Sequence, residues 1–179
     1  MKTETFLELR QKVIDAGFQD EITWAENIRC RDSSDFFAEY VWVVISGGMK
    51  NQVAQKIHSR VMVAIIDRVP INTVFRHWGK VKAINQVLAN LKEIYCEYLM
   101  DNDKLSWLQT LPYIGPITKY HLAKNLGLDA AKPDRHLARI ADSYGMNTQE
   151  LCEKLARETG GKVAVVDQII WRAANLGFI

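Results

Sequence analysis

The chain has 179 residues, which is enough for one domain of ordinary size or for two small helical lobes that share a cleft. Hydrophobic residues make up 48% of the sequence and charged residues 25%, a balance that is typical of globular proteins and excludes a disordered chain. The net charge of +2 gives by itself no indication of a nucleic-acid partner. The longest apolar run, Tyr40 to Ile45, is far shorter than the roughly 20 residues of a membrane span, so no membrane partner is expected.

Apolar residues recur at helical spacing along most of the chain, which predicts an all-α fold of about ten helices with short connections. The segment from Phe36 to Ile45 is rich in residues that favour strands. It follows the N-cap signal Ser33-Ser34-Asp35 and precedes the stop Gly47-Gly48, so we expect a buried helix, with a strand as the competing interpretation. The other predicted helices are Thr5–Gly17, Lys50–Asp67, Asn72–Trp78, Lys80–Tyr98, Lys104–Leu111, a helix after Pro116, Pro133–Tyr144, Thr148–Thr159 and Val163–Ala174.

The three cysteines, Cys30, Cys96 and Cys152, are far apart and form no C-x-x-C pair. Their spacing fits neither a zinc site nor an iron–sulfur cluster, so we expect three reduced, partly buried thiols. The first residues contain no apolar signal core. The sequence therefore predicts an intracellular protein, located in the cytoplasm and nucleoid or, in a eukaryote, in the nucleus.

A tight turn between two helices is predicted at Pro112-Tyr-Ile-Gly-Pro116. Gly115 permits a positive φ, and Pro116 suits the first position of a helix. Such a turn points backbone N–H groups outward at a helix start, which suits a DNA phosphate; an ordinary helical hairpin is the competing interpretation. Between Thr110 and Ile140 the chain carries five cations and two anions, a modestly basic segment that suits a polyanion or, equally, a solvated helix face.

Asp134 follows Pro133 in the first turn of the next predicted helix. The free N–H groups and the dipole of a helix start stabilise a negative charge at that position. An ionised carboxylate held in this way can stabilise a cationic sugar in a transition state. An aspartate that only caps the helix is the alternative.

Together these two segments resemble the helix-hairpin-helix DNA glycosylase superfamily. Its hairpin pattern, Leu-Pro-x-apolar-Gly-x-x-Thr, is followed by Asp-x-His-x-x-Arg; the matching residues are Leu111-Pro112, Ile114-Gly115, Thr118, Asp134, His136 and Arg139. The likeness is greatest to the short archaeal-type 8-oxoguanine glycosylases, which have no iron–sulfur cluster. It extends over about residues 30–179, and the C-terminal segment Val166–Trp171 also resembles theirs.

The resemblance implies the HhH-GPD fold, a single unit over residues 1–179 in which two helical lobes form a central cleft for DNA and a flipped base. The hairpin would occupy about residues 103–126, and the catalytic segment residues 132–144. Asp134 would assist the attack of water on the sugar. The implied partner is double-stranded DNA bound by a monomer, and the implied cofactor is none, apart from a possible Na⁺ or K⁺ at the hairpin backbone of residues 112–117.

The resemblance also assigns residues to DNA contact and to the base pocket. Met49 or Lys50, in the turn after Gly47-Gly48, would hold open the gap left by the base, although a plain solvent-facing turn fits equally well. The residues implied in phosphate contact are Tyr113, Ile114, Gly115, Ile117, Thr118, Lys119, Lys124 and Arg135. The candidates for the base pocket are Trp24, Trp42, Trp171 and Asp167, with Trp78 as a further aromatic, and each tryptophan has a core position as its alternative. His136 is interpreted as structural, and Arg139 as packing or pairing.

This sequence departs from the family pattern at three positions. Ile117 stands where the lyase members carry the lysine that attacks the sugar, so we expect hydrolysis by water. A bifunctional glycosylase and lyase that acts on oxidised purines through a displaced lysine, Lys119 or Lys132, is the first alternative, and a non-catalytic DNA-binding protein is the second. Tyr113 replaces a hairpin glycine, and Ile179 replaces a C-terminal lysine used in recognising 8-oxoguanine, so the base removed stays open.

Overall fold

The computed structural model describes residues 1–179, and it contains helices and connections but no strand. The prediction of an all-α fold is therefore confirmed. None of the helices is both long enough and apolar enough to cross a membrane. The helices are α1 (Thr3–Asp15), α2 (Gln19–Asn27), α3 (Ser33–Ser46), α4 (Asn51–Ile66), α5 (Trp78–Ala89), α6 (Leu91–Met100), α7 (Lys104–Leu108), α8 (Thr118–Asn125), α9 (Arg135–Ser143), α10 (Thr148–Thr159) and α11 (Val163–Asn175), with a 3₁₀ turn at Ile71–Thr73.

The structure differs from the predicted helices in three places. Helix α2 was not predicted, because it is short, has no capping side chain and buries only Ile22 and Ala25. The helix predicted over Lys80–Tyr98 is wrong: it divides into α5 and α6 at Asn90, whose backbone is not helical and whose amide donates to the Gln86 carbonyl oxygen at 3.0 Å. The helix predicted over Asn72–Trp78 is also wrong, since only the 3₁₀ turn forms there.

The segment Phe36–Ile45 is a helix, and its capping residue explains why. Asp32 precedes α3, and its Oδ1 accepts hydrogen bonds from the N–H groups of Ser34 and Asp35 at 2.8 and 2.9 Å. This N-cap satisfies N–H groups that a helix start leaves free. Local capping and the burial of α3 therefore outweigh the strand propensity of its valines and aromatics.

The chain divides into two compact units. Unit 1 comprises Met1–Arg29 and Ala123–Ile179, and its centre is α11, which packs against α1, α2, α9 and α10. Every residue from Val163 to Ile170 is buried, as is normal for a helix surrounded by neighbours. The largest fully buried side chains of this unit are Ile22, Leu137, Leu151, Leu155, Ile169 and Ile170.

Unit 2 comprises Cys30–Leu122, and its centre is α3, which packs against α4, α5 and α6. Phe36 is fully buried and lies within 5.1–6.3 Å, between ring centroids, of Tyr95, Tyr98 and Trp107. These tilted rings form an aromatic cluster. Ring contacts of this kind stabilise a core beyond what the burial of their apolar area contributes.

The three cysteines form no disulfide. Cys152 is buried in the core of unit 1 and Cys30 is half-buried, as expected. Cys96 is exposed on α6, which differs from the expectation of partial burial. Burial raises the pKa of the Cys30 thiol, so this group is protonated at neutral pH.

Candidate functional site

Asp134 is the N-cap of α9 in unit 1, one residue before the helix that the sequence predicted to include it. Its Oδ1 accepts from the N–H groups of His136 and Leu137 at 2.9 and 3.1 Å, whereas Oδ2 accepts no hydrogen bond from the protein. The residue is half-exposed. The carboxylate is thus fixed through one oxygen, and the second oxygen can act on a ligand or a water molecule.

The loop that leads to Asp134 is anchored at three backbone or side-chain positions. The Ala131 N–H donates to Gln149 Oε1 at 2.8 Å, and the Lys132 N–H donates to Asp167 Oδ2 at 2.6 Å. Asp129 Oδ1 in turn accepts from the Ala164 N–H at the start of α11, at 3.0 Å. These bonds tie the loop to α10 and α11, so the backbone before Asp134 has a defined position within unit 1.

Lys124 and Asp167 form a buried ion pair in unit 1. Lys124 Nζ lies 2.6 Å from Asp167 Oδ1, and the two side chains are 8% and 2% exposed. Lys124 also donates to Gln168 Oε1 at 3.3 Å. The prediction that Lys124 contacts phosphate is therefore wrong, and so is that of Asp167 in the base pocket, because both charged groups are buried and satisfied by each other.

Lys132 carries a half-buried amine close to Asp134. Burial lowers the pKa of the Lys132 ammonium, and the charge of Lys124 lowers it further, against the opposite effects of Asp134 and Asp167. No hydrogen-bond partner holds Nζ. The sequence left the role of this residue open, and the structure shows it as a half-buried lysine two residues before the candidate carboxylate.

The hairpin turn lies in unit 2, between α7 and α8. Tyr113 has φ +64°, a left-handed conformation that glycine adopts at less cost than tyrosine. Its ring lies edge-on to His77, with 6.0 Å between ring centroids, and against Gly79, where a Cβ atom would meet the Tyr113 hydroxyl at 2.1 Å. The turn therefore keeps a glycine-like backbone at the position where the resembled family has glycine.

Several polar groups of this turn are already paired. The Gly115 N–H donates to Thr118 Oγ1 at 2.7 Å, so it is not free for a phosphate. The Pro112 carbonyl oxygen accepts from the Tyr40 hydroxyl at 2.9 Å, and burial raises the pKa of that hydroxyl. The N–H of Ile117 has no acceptor in the protein. The N–H groups of Tyr113 and Thr118 have none either, so these three, rather than the N–H of Gly115, are the free backbone donors of the turn.

The other residues assigned to DNA contact differ in exposure. Ile114 is 5% exposed, so its side chain belongs to the core and cannot reach DNA. Tyr113, Ile117 and Arg135 are exposed, whereas Thr118 and Lys119 are half-exposed.

His136 and Arg139 were both assigned structural tasks. The His136 ring contacts Arg135, with Arg135 Nε 3.4 Å from His136 Nε2. Arg139 is exposed and forms no salt bridge, which contradicts the expectation that it packs or pairs.

The turn after α3, residues 47–50, holds the predicted wedge. Lys50 is exposed and Met49 is half-exposed. The sequence did not single out Lys80, whose Nζ donates to the carbonyl oxygens of Ile45 and Gly47 at 2.9 and 2.7 Å. A lysine that caps the end of a helix 35 residues away leaves no local sequence signal, but it fixes where this turn begins.

The aromatic residues proposed for a base pocket lie in both units. Trp24 in unit 1 is 42% exposed. Trp171 packs on the core of the same unit, and the Arg172 guanidinium lies 4.8 Å from its ring centroid. In unit 2, Trp42 is half-buried edge-on against His58, and Trp78 is the most exposed tryptophan, at 77%. None of them is fully buried, so each retains a surface for a ligand.

No group of three or more His, Cys, Asp or Glu side chains has the arrangement of a metal site. In the turn, the carbonyl oxygens of Tyr113, Ile114 and Pro116 accept no hydrogen bond from the protein. Comparisons of the chain with models of protein families, with curated proteins and with solved structures found no match.

Proposed function

We propose that the chain is a DNA glycosylase of base excision repair, which hydrolyses the N-glycosidic bond of a damaged or modified base after the base has left the helix stack. The observation that carries this proposal is the hydrogen bonding of the Asp134 carboxylate. One carboxylate oxygen is fixed by two N–H groups at the start of α9, and the other has no partner in the protein. A carboxylate with a fixed position and one available oxygen suits the stabilisation of developing positive charge.

The hairpin supports the same proposal, because its sequence matches a family motif and its backbone keeps the left-handed residue at Tyr113. The free N–H groups of Ile117 and Thr118 at the start of α8 would bind a phosphate oxygen. Lys119 and Arg135 would add positive charge, which strengthens binding to duplex DNA in a salt-dependent manner. Met49 and Lys50 would fill the gap left by the flipped base, whose extrusion costs a few kcal/mol.

In the proposed reaction the bond between C1′ and the base nitrogen breaks, and the base leaves with the electron pair. Asp134 stabilises the sugar cation that forms. A water molecule then adds to C1′, and its proton passes to the free oxygen of Asp134. The departing base takes up the proton that the water gave to Asp134, which returns the carboxylate to its starting form. The products are the neutral base and an abasic site, and the DNA strand stays intact.

The decisive experiment compares base release from a panel of single-lesion duplexes, with alkali to cut abasic sites, for the parent chain and for Asp134→Asn. Asparagine caps a helix about as well as aspartate, so the variant keeps the fold and loses the charge. Asp32→Asn is the matched control, because the Asp32 side chain in unit 2 caps α3 by accepting from the N–H groups two and three residues later, as Asp134 does for α9. We expect alkali-dependent cleavage for the parent and for Asp32→Asn, and a loss of about 100-fold or more for Asp134→Asn.

Two outcomes would contradict the proposal. Undiminished base release by Asp134→Asn would remove the carboxylate from the reaction. Salt-sensitive DNA binding by the parent chain without release of any base would favour a non-catalytic DNA-binding protein.

A second candidate function is a combined glycosylase and lyase, and the specific observation that favours it is Lys132. Its half-buried amine has a lowered pKa, no hydrogen-bond partner and a position two residues before Asp134. The neutral form of such an amine attacks the aldehyde of an abasic site, and loss of water then gives an imine. Borohydride trapping on an abasic duplex tests it: an adduct that disappears in Lys132→Ala and persists in Lys119→Ala supports the lyase, and the absence of any adduct refutes it.

A further inference from the structure

Unit 2 contains a groove of about 890 Å³ that the proposed chemistry does not use. It lies beside the end of α4, the connection that follows, and one face of α5. Its volume falls in the range of ligand-binding clefts. The floor is aliphatic and aromatic, formed by Ile65, Val69, Ile71, Phe75, Val81 and Leu88.

The charged residues that line this groove all have one sign. Arg68, Arg76 and Lys82 line it, and no aspartate or glutamate does. All three cations are exposed, and none of them forms a salt bridge within the chain. An unpaired cationic rim around an apolar floor is complementary to an occupant that is apolar on one side and acidic at its edges.

The groove follows α5 for most of its length. Its lining residues Trp78, Val81, Lys82, Asn85 and Leu88 recur at helical spacing and share one face. From Trp78 to Leu88 this face is about 15 Å long, since a helix rises 1.5 Å per residue. That length matches about three turns of a second helix laid alongside.

Trp78 is an exposed anchor at one end of the groove. It is 77% exposed, and Lys82 Nζ lies 5.3 Å from its ring centroid. Tryptophan and arginine are the residue types that contribute most to binding at protein interfaces. Their combination with exposed Val69 and Leu88 gives an apolar patch with a positive edge.

We propose that this groove binds an acidic amphipathic helix of a protein partner, with the apolar face of the partner on the floor and its carboxylates on Arg68, Arg76 and Lys82. A single-stranded nucleic acid would also match the charge, but it needs a series of aromatic platforms for successive bases. The groove offers one exposed indole and an aliphatic floor, which suits leucine-type anchors. The proposal is independent of the chemistry at Asp134.

The test uses fluorescence anisotropy with the full chain and a labelled helix-forming peptide of about 14 residues, roughly four turns, with leucines on one face and glutamates on both flanks. A scrambled peptide of the same composition, a version with lysine in place of glutamate, and an oligodeoxythymidine are the comparison probes. We expect the acidic helix to bind at least about tenfold more tightly than each of them, with an affinity that falls as salt is raised.

Variants then locate the binding surface. Trp78→Ala and the charge reversal Lys82→Glu alter exposed side chains, and we expect each to weaken peptide binding by about tenfold or more. Met100→Ala and Lys92→Glu are matched changes of an exposed apolar and an exposed cationic residue on α6, and we expect both to bind like the parent. Unchanged thermal midpoints of all four variants show that the fold is retained.

The proposal is overturned if the acidic peptide binds no better than its scrambled form, or if Trp78→Ala and Lys82→Glu bind it as well as the parent does. Tighter binding of oligodeoxythymidine that is lost in the same two variants would also overturn it, and would assign the groove to single-stranded nucleic acid.

Discussion

Removing the negative charge of Asp167 is expected to destabilise the chain more than removing any exposed charge. Asp167→Asn preserves the shape of the side chain, and its remaining oxygen can still accept from the Lys132 N–H. It leaves the Lys124 ammonium, 8% exposed, with Gln168 Oε1 at 3.3 Å as its remaining side-chain partner. Breaking one side of a buried ion pair costs about 3–5 kcal/mol, because an uncompensated charge stays in the interior.

An exposed ion pair in unit 1 serves as the reference for the stability that the buried pair contributes. Arg10 and Glu26 are 3.2 Å apart, and their side chains are 41% and 42% exposed. Exposed pairs of this kind contribute about 0–1 kcal/mol. Glu26→Gln is therefore the matched control for Asp167→Asn, with the same loss of one carboxylate charge.

The assay is urea unfolding followed by tryptophan fluorescence and by far-ultraviolet circular dichroism, since the chain has two units and one probe can miss a transition. With a slope of about 2 kcal/mol per molar urea, Asp167→Asn should lower the unfolding midpoint by about 1.5–2.5 M. Glu26→Gln should lower it by less than about 0.5 M. The double variant Lys124→Met with Asp167→Asn should recover most of the loss, because neither charge then remains and the Lys132 N–H keeps its acceptor.

Equal midpoints for Asp167→Asn and Glu26→Gln would refute this reasoning. They would show that the Lys124 ammonium is hydrated in the folded chain, and that the loop before Asp134 does not depend on the pair.

Two further substitutions and one labelling experiment test other features of the structure. Lys80→Met leaves two carbonyl oxygens at the end of α3 without their donor and should lower stability by about 1–3 kcal/mol, measured by the same urea assay; a midpoint equal to the parent's would contradict the capping role. Gly79→Ala places a Cβ atom against the Tyr113 hydroxyl, so the Tyr113 resonances should shift in an NMR spectrum, whereas an unchanged spectrum would mean that the ring does not rest there. Because burial lowers the pKa of Lys132, its neutral form should increase at a lower pH than that of a free lysine side chain in a competitive amine-labelling profile; a midpoint equal to that of free lysine would speak against the burial. For the same reason the destabilising cost of the charged Lys132 is present below its folded pKa and is relieved as the pH rises towards the unfolded value of about 10.5.

Structural features that are determined by residues close together in the sequence were predicted well. The helical fold follows from apolar spacing, and the placement of Asp134 at a helix start follows from Pro133 and the pattern after it. The positive φ at Tyr113 had only an indirect signal, the comparison with a glycine in a family pattern. Propensity alone would have argued against it, because tyrosine rarely adopts this conformation.

Features that depend on distant residues were not predicted. Lys124 belongs to a basic segment and was assigned to the surface, because nothing near it in the sequence shows the carboxylate 43 residues later that pairs with it. Lys80 was missed for the same reason. The break at Asn90 was missed because the apolar spacing continues across it, and a polar residue on one turn does not by itself end a helical pattern.

The first turn of α5 connects two outward-facing turns of unit 2. Gly79 supports the ring of Tyr113, and the next residue, Lys80, holds the end of α3 just before Met49. Consecutive residues of a helix share one rigid backbone. A displacement of the hairpin that moves Gly79 therefore also moves Lys80. We therefore expect the hairpin turn and the turn at residues 47–50 to shift together when a ligand binds to either of them.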